Sequence, residues 1–254
     1  MAYKNRLYRK SLNFNSDLES FGIEYFESNL LICAKTDLKD LAKKWLKIYH
    51  QEIADYADKY PEFKTSLRPL SGQPKAPSII KAMLNACRRA NVGPMAGVAG
   101  AIAEHVGKQL LAYTDEVIIE NGGDIFLSIK KRRTVGIFAG ANNICNRLGI
   151  ILEASKTPYG LCASSGTFGH SLSFGKTDAT VVLAKNTVLA DCFATAIGNL
   201  VACSSDIPKA LKFAKKYREI LGLIIITKDS LAAYGKIKFN ILDTSGNKSS
   251  SLNI

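Results

Sequence analysis

Apolar residues recur at helical spacing in the first half of the chain and then change to short, β-branched runs. The helical spacing predicts helices over residues 37–60, 79–91 and about 95–113. The β-branched runs, bounded by glycine and polar residues, predict strands over residues 116–121, 125–129, 134–138, 149–152 and 178–183. Helices at about 187–203 and 208–221 follow, and then strands at 223–227 and 236–239. Separate blocks of helices and strands predict an α+β fold with antiparallel sheets packed with helices.

Chain length and the lack of a linker predict a single compact unit. The chain has 254 residues, which suits one large domain or two fused small ones. No low-complexity linker divides residues 1–254, so we expect one domain, with two subdomains divided near residues 140–160 left open. A hydrophobic fraction of 47% is enough for a buried core and argues against disorder.

Compartment is indicated by what the sequence lacks. No window approaches the ~18 apolar residues of a membrane span, and the charged N-terminus leads into a polar stretch unlike a secretory signal. The six cysteines form no CxxC pair and are predicted to be reduced core residues. We therefore expect a cytoplasmic protein without a membrane partner.

The net charge of +12 fits a nucleic-acid surface, a membrane surface or a phosphorylated ligand, and does not choose among them. The basic run at residues 130–133 has no interleaved aromatic residues on which bases could stack. It is predicted to be a solvated turn, which argues against a nucleic-acid partner.

The first segment that could carry chemistry is Asn-Gly-Gly-Asp at residues 121–124. Gly122 and Gly123 allow positive φ and a close approach to a ligand, while Asn121 and Asp124 supply short hydrogen-bonding side chains. The same four residues are also typical of an ordinary hairpin turn. Both interpretations stay open at this point.

A second segment places Asp191 and Thr195 four residues apart on a predicted helix, hence on one face. A carboxylate and a hydroxyl are hard oxygen ligands that suit Mg²⁺ carrying waters and phosphate oxygens. The alternatives are a solvated polar face, opposite a buried apolar one, and a carboxylate that offsets the helix dipole.

Two further segments are rich in small residues. Residues 163–171 contain Ser164, Ser165, Gly166 and Thr167, whose backbone N–H groups could cradle phosphates, although a plain loop is an equal alternative. Residues 93–104 carry interior glycines that a helix tolerates where something packs very closely. That neighbour is predicted to be either another helix or a flat ligand.

Taken in chain order, the segments at residues 92–95, 121–124, 165–170 and 190–195 resemble the ApbE-related superfamily, whose best-known members are FAD:protein FMN transferases. The resemblance covers about residues 20–240. The resemblance is greatest to the compact, uncharacterised branch of that superfamily. It implies a T-fold-like architecture, single or duplicated, with the ligand between subdomains. The segment of Asp191 and Thr195 resembles the family's Ala-Asp-x-x-x-Thr helix, in which Asp and Thr hold Mg²⁺ against the FAD pyrophosphate.

The resemblance also implies Mg²⁺ and FAD or FMN as cofactors. The residues expected to bind the flavin nucleotide are Asn121, Gly122, Gly123, Asp124, Ser164, Ser165, Gly166 and Thr167. The family's His-Ile-Asp-Pro stretch is missing, and only His170-Ser-Leu-Ser stands in that region. His170 is therefore the candidate general base, because an unperturbed histidine pKa of about 6.5 suits that role, and a structural role for His170 is an equal alternative.

Three hypotheses of function follow. The leading one is Mg²⁺-assisted binding of FAD or a related dinucleotide, with FMN transfer to a protein acceptor or pyrophosphate cleavage. The second is a non-catalytic flavin- or nucleotide-binding protein, and the third an RNA-binding protein using the basic surface. Self-association into a homo-oligomer is left open.

Overall fold

The structure is a computed structural model that describes residues 9, 17–137, 148–167, 175–241 and 251–252. Its strands are β1 (Glu19–Tyr25), β2 (Ser28–Ala34), β3 (Val117–Asn121), β4 (Asp124–Ser128), β5 (Arg133–Gly136), β6 (Leu148–Leu152), β7 (Tyr159–Ser164), β8 (Ala179–Ala184), β9 (Ile220–Ile226), β10 (Leu231–Gly235), β11 (Lys238–Ile241) and β12 (Ser251–Leu252). Its α-helices are α1 (Lys39–Lys59), α2 (Glu62–Thr65), α3 (Ser78–Ala90), α4 (Val98–Leu110), α5 (Thr187–Gly198) and α6 (Ile207–Ala214).

Eight strands form one sheet in the order β1-β2-β3-β4-β7-β8-β9-β10, and every neighbouring pair is antiparallel. Each half of the sheet has the same chain order: two strands, then helices, then two strands. The halves meet where β4 pairs with β7, with Asp124 opposite Cys162. This confirms the predicted α+β fold of antiparallel sheets and helices and agrees with the duplicated alternative. The subdomain boundary near residues 140–160 stays a prediction.

The large sheet is buried on both faces because successive side chains of a strand point to opposite sides. Ile119, Phe126 and Val182 pack into the core beneath the helices. Their neighbours Ile118 and Leu127 pack into a second core. A small sheet in the order β12-β11-β6-β5 covers the other side of that second core and contributes Val135, Ile150 and Phe239 to it. The result is three layers, with the large sheet in the middle.

Several predicted elements differ from the observed ones. The hairpin of β1 and β2 lies outside the predicted elements. In β1, Phe21, Ile23 and Tyr25 alternate with polar residues or glycine, but the strand is mostly solvent-exposed. The third helix is divided, with a 3₁₀ turn at Pro94–Gly97 before α4 begins at Val98. Helix α5 ends at Gly198, five residues before the predicted end at 203. There the Gly198 carbonyl packs so closely on Gly175 that a Cβ on Gly175 would lie 2.0 Å from it.

The predicted solvated turn at residues 130–133 is wrong for its last residue. Arg133 begins β5 and is 1% exposed. Its guanidinium donates to Asp17 and to the buried Glu116. A buried cation needs such partners, because desolvation without a counter-charge is costly.

Two further predictions concern the cysteines, expected as reduced core residues, and the lack of a membrane-spanning segment. The cysteines that the structure describes are free thiols, with Cys203 exposed and Cys33, Cys87, Cys162 and Cys192 buried. Within the described ranges, the helices are all too short or too polar to cross a membrane.

Candidate functional site

Polar side chains gather on the helix-facing side of the sheet, at the seam where the two halves meet. Asp124 lies at the start of β4, and Ser164 and Thr180 lie opposite each other on β7 and β8. All three are buried, as is Asp191 of α5. Asp124 comes from the first predicted segment, Ser164 from the third and Asp191 from the second. The fold therefore brings together three segments that lie far apart in the sequence.

The Asn-Gly-Gly-Asp segment is a two-residue hairpin turn between β3 and β4, because Asn121 pairs with Asp124. Gly122 has φ +67° and Gly123 has φ +108°, which residues with a Cβ adopt only at a cost. The buried Glu120 carboxylate accepts a hydrogen bond from the Gly123 N–H at 2.9 Å. The Asn121 amide donates to the Ala99 carbonyl at 3.2 Å. The hairpin interpretation is thus realised, and the turn is held against α4.

The turn also leaves space for another molecule. A Cβ on Gly122 would meet nothing within 4 Å, and one on Gly123 would meet only the Ala163 carbonyl at 3.8 Å. An open glycine turn beside buried polar groups permits the close backbone approach that a ligand would need.

If the turn lies against the dinucleotide that the resemblance implies, replacing Gly122 with valine is expected to remove FAD binding while lowering the free energy of unfolding by only about 1–3 kcal/mol, the usual cost of an unfavourable φ. Gly122→Asn is the matched control, since asparagine tolerates left-handed φ. It should retain most of the stability. Urea unfolding and calorimetric titration with FAD measure both effects. Normal FAD binding by the valine variant would leave this segment a hairpin turn and nothing more.

Asp191 lies at the contact between α5 and α4. Its Oδ2 accepts a hydrogen bond from the Gly100 N–H at 2.8 Å, in the first turn of α4. Helix α5 is buried on nearly all sides, so the predicted solvated polar face is wrong. The carboxylate does sit at a helix N-terminus, as one alternative had it, but at that of the neighbouring helix. Thr195, one turn further along α5, is half-buried.

The glycines of residues 93–104 let these two helices touch. A Cβ on Gly97 would lie 2.7 Å from the Cys192 thiol, and one on Gly100 would lie 2.7 Å from the Thr187 carbonyl and 2.9 Å from Asp191 Cβ. The close neighbour of these glycines is therefore another helix. This packing brings the α4 backbone within hydrogen-bond reach of Asp191.

The two buried carboxylates influence each other. Burial raises the pKa of Asp124 to about 7, and the charge of Glu120 adds to that effect, while hydrogen bonds from Cys162 and Ala163 oppose it. Burial raises the pKa of Asp191 well above its usual range, and the negative charge of Asp124 raises it further. Like charges in a desolvated place disfavour ionisation. The pair would become ionised more readily with a cation beside it.

The donor atoms at the seam fit such a cation. Asp124 Oδ1 and Ser164 Oγ are buried and have no hydrogen-bond partner. Carboxylate and hydroxyl oxygens are the ligands that Mg²⁺ prefers, together with water and phosphate oxygens. In the described part of the chain, no three His, Cys, Asp or Glu side chains converge as a metal centre. The residues therefore fit a hard cation that is completed by a ligand, rather than a closed all-protein metal site.

The third segment forms the end of β7 and the start of a loop. Gly166 donates its N–H to the Thr177 carbonyl at 3.0 Å, and a Cβ on it would lie 1.9 Å from the Gly175 carbonyl. Ser165 and Thr167 are linked through their hydroxyls at 3.3 Å, and Thr167 also reaches Asp178. His170 lies outside the described residues. The base of the loop is thus pinned beside Ser164.

Sequence reasoning missed some residues at this place. Cys162 and Thr180 share the helix-facing side of the strands with Asp124 and Ser164. Glu104 of α4 is 4% exposed and accepts hydrogen bonds from Thr187 and Val188 at the start of α5. Glu104 is the one acidic residue of a helix rich in glycine, alanine and valine, and this was the local signal that could have indicated its role.

The fold and the seam define a class: an antiparallel α+β protein with a duplicated strand order and a buried carboxylate pair between its halves. The sequence model of the family described as "AbpE bacteria" matches residues 11–227. The chain belongs to this family, which confirms the resemblance seen in the sequence.

Relatives of similar sequence and solved structures of similar fold are consistent with this family. The chain is 42% identical over 219 residues to a UPF0280 protein of Methanocaldococcus jannaschii, covering 83% of this chain and 88% of that protein. It is 39% identical over 221 residues to a UPF0280 protein of Methanococcus aeolicus, covering 85% and 89%. The crystal structure of the Pseudomonas stutzeri flavinyl transferase ApbE, apo form, superposes with a TM-score of 0.55 at 15% identity, covering 86% of this chain and 94% of the other. At this identity, the superposition shows a shared fold.

Proposed function

We propose that this protein binds FAD or a closely related dinucleotide with the assistance of Mg²⁺ at the seam between its two halves. The observation that carries the proposal is the buried pair of carboxylates, Asp124 and Asp191. One oxygen of that pair, Asp124 Oδ1, and the Ser164 hydroxyl are buried without a hydrogen-bond partner. The fold shared with a flavinyl transferase supports a flavin nucleotide over other phosphorylated ligands.

In this proposal the residues divide into two groups. Asp191 and Thr195, with Asp124 beside them, would hold the metal, which when bound supplies positive charge against the diphosphate. The glycine turn at Gly122 and Gly123 would lie against the nucleotide, and the hydroxyl groups of Ser165 and Thr167 would donate to its phosphates. Gly166, whose N–H donates to the Thr177 carbonyl, would hold the base of the loop beside them. Asn121 would hold the turn in place through its bond to Ala99.

The reaction proposed for this site is transfer of FMN from FAD to a hydroxyl of a protein acceptor, or to water. The attacking oxygen forms a new P–O bond to the FMN phosphorus, and AMP leaves with the electrons of the broken P–O–P bond. The proton of the attacking hydroxyl needs an acceptor, which we assign to His170. The rival proposal is a protein that binds the nucleotide without turning it over.

The decisive experiment titrates the purified protein with FAD by calorimetry, with and without Mg²⁺. Binding that strengthens on addition of Mg²⁺ is expected. The absence of any flavin binding would reject the proposed function, and RNA binding with a steep salt dependence would favour the RNA hypothesis instead.

Removal of His170 then separates catalysis from binding. If it is the general base, His170→Ala is expected to lower FAD turnover by roughly 10²–10⁴-fold without weakening FAD binding. The parent rate should rise with pH through the histidine titration. His50→Ala is the matched control. His50 lies on α1 and stacks on Phe26 of the β1–β2 hairpin at a ring distance of 4.9 Å, so its role is in packing. Equal rates in parent and His170→Ala would exclude His170 as the base, and no turnover in either would favour pure binding.

A further inference from the structure

Two buried carboxylates cap each other's helices. Asp191 of α5 accepts from the Gly100 N–H in the first turn of α4 at 2.8 Å. Glu104 of α4 accepts from the N–H groups of Thr187 at 2.7 Å and Val188 at 3.2 Å, the first two residues of α5. The first N–H groups of a helix have no partner within it and carry partial positive charge. Each helix therefore supplies the carboxylate that its neighbour's N-terminus needs.

The two helices have no room to shift relative to each other. Gly97 faces Cys192 while Gly100 faces Thr187, so α4 and α5 run antiparallel in close contact. Even a single added carbon at Gly100 would come within 2.7 Å of the Thr187 carbonyl. A change at one end of this contact must consequently be felt at the other.

The two oxygens of the Glu104 carboxylate have different partners. It is 4% exposed, and its second oxygen, Oε1, accepts from the Lys108 ammonium at 2.6 Å. Lys108 has a side chain that is 55% exposed, so the counter-charge comes from the solvent side and leaves Oε2 to α5.

We propose that Glu104 is a positioning residue for Asp191: by holding the first turn of α5 it keeps the Asp191 carboxylate against Gly100 and beside Asp124. This positioning role depends on the proposed function only in the experiment that measures Mg²⁺ binding. The position of Asp191 can also be followed in the free protein through the Gly100 amide, whose hydrogen exchange reports the bond to Oδ2 directly.

The test compares Glu104→Ala with Glu104→Gln. The glutamine oxygen can accept from Thr187 and Val188 as the carboxylate does, whereas alanine cannot. We expect Glu104→Ala to speed exchange of the Gly100 amide relative to that of Ile119 in the sheet, and to weaken Mg²⁺ binding about 10–100-fold, the usual effect of losing a group that orients a metal ligand. Glu104→Gln is expected to restore most of both.

Glu116→Gln is the control for general destabilisation. Glu116 is also buried and ion-paired, to Arg133, but on the strand side away from α5. It should leave the Gly100-to-Ile119 exchange ratio at the parent value. If Glu104→Ala does not fold, Glu104→Asp replaces it, because its shorter side chain cannot reach both N–H groups.

The outcomes separate the two proposals. An unchanged exchange ratio in Glu104→Ala or Glu104→Asp would overturn the positioning role, whether or not Mg²⁺ binds. If the parent binds Mg²⁺ and Glu104→Ala or Glu104→Asp binds it with equal affinity, the positioning role is likewise overturned. A parent that binds no Mg²⁺ would reject the metal assignment, and the exchange ratio would still decide the role of Glu104.

Discussion

Replacing Asp191 with alanine is expected to abolish the Mg²⁺-dependent part of FAD binding. Asp191 is buried beside Asp124, and a metal ligand contributes more than the groups that merely orient it, whose loss costs about 10–100-fold. We therefore expect the Mg²⁺-dependent affinity to fall by more than about 100-fold. Calorimetric titration with FAD, at several Mg²⁺ concentrations, measures the effect.

The same substitution also removes the acceptor for the Gly100 N–H, which costs about 0.5–2 kcal/mol in comparable helix caps. Asp191→Asn is the matched control, because its amide oxygen retains that acceptor but lacks the negative charge. It should be more stable than Asp191→Ala and still bind Mg²⁺ poorly. Unchanged Mg²⁺-dependent affinity in both variants would show that the metal assignment is wrong.

Local pattern was sufficient to predict the long helices and most strands. Helix α1, for example, follows from its apolar spacing and its end before Pro61. The hairpin of β3 and β4 follows from Gly122 and Gly123, which are the residues that a two-residue turn requires. Both features depend on neighbours within a few positions, so a single sequence contains the information.

The candidate site could be predicted only in pieces. Asp124 and Asp191 come together because β4 pairs with β7, and that pairing joins segments far apart in the chain. The glycines at 97 and 100 signalled a close neighbour without identifying it, because a helix and a flat ligand impose the same steric limit. The burial of Asp191 was missed for the same reason: its degree of exposure is decided by α4, not by the residues around it in α5.

Glu104 is the residue whose role is hardest to predict from the sequence. In the sequence it is the one acidic residue of a helix rich in glycine, alanine and valine, with Lys108 one turn further on. The spacing to Lys108 is visible in the sequence, but the backbone N–H groups of Thr187 and Val188, which donate to the other oxygen of Glu104, are partners that no side-chain pattern can reveal. Tertiary capping of this kind leaves a signal only in the carboxylate itself, whose burial requires that hydrogen-bond donors surround it.

Asp124 is expected to make stability depend on pH in a direction opposite to that of an ordinary surface carboxylate. Its pKa is about 7 in the folded protein against 3.8 for the unperturbed group. Between about pH 4 and pH 7 the unfolded chain releases this proton while the folded one keeps it, so the contribution of Asp124 to stability falls as pH rises. Asparagine resembles the neutral acid and cannot ionise, so Asp124→Asn avoids that loss.

The difference in free energy of unfolding, Asp124→Asn minus parent, should therefore increase with pH across this window, by at most about 1.4 kcal/mol per pH unit. Urea unfolding at a series of pH values without Mg²⁺ measures it. Asp58→Asn, at an exposed position of α1, is the control for the loss of one carboxylate elsewhere in the chain. Above pH 7, Mg²⁺ should stabilise the parent more than Asp124→Asn, because only the parent presents both carboxylates to the cation. A difference that stays flat with pH, and an equal response to Mg²⁺, would mean that Asp124 is ionised in the free protein and takes no part in holding the metal.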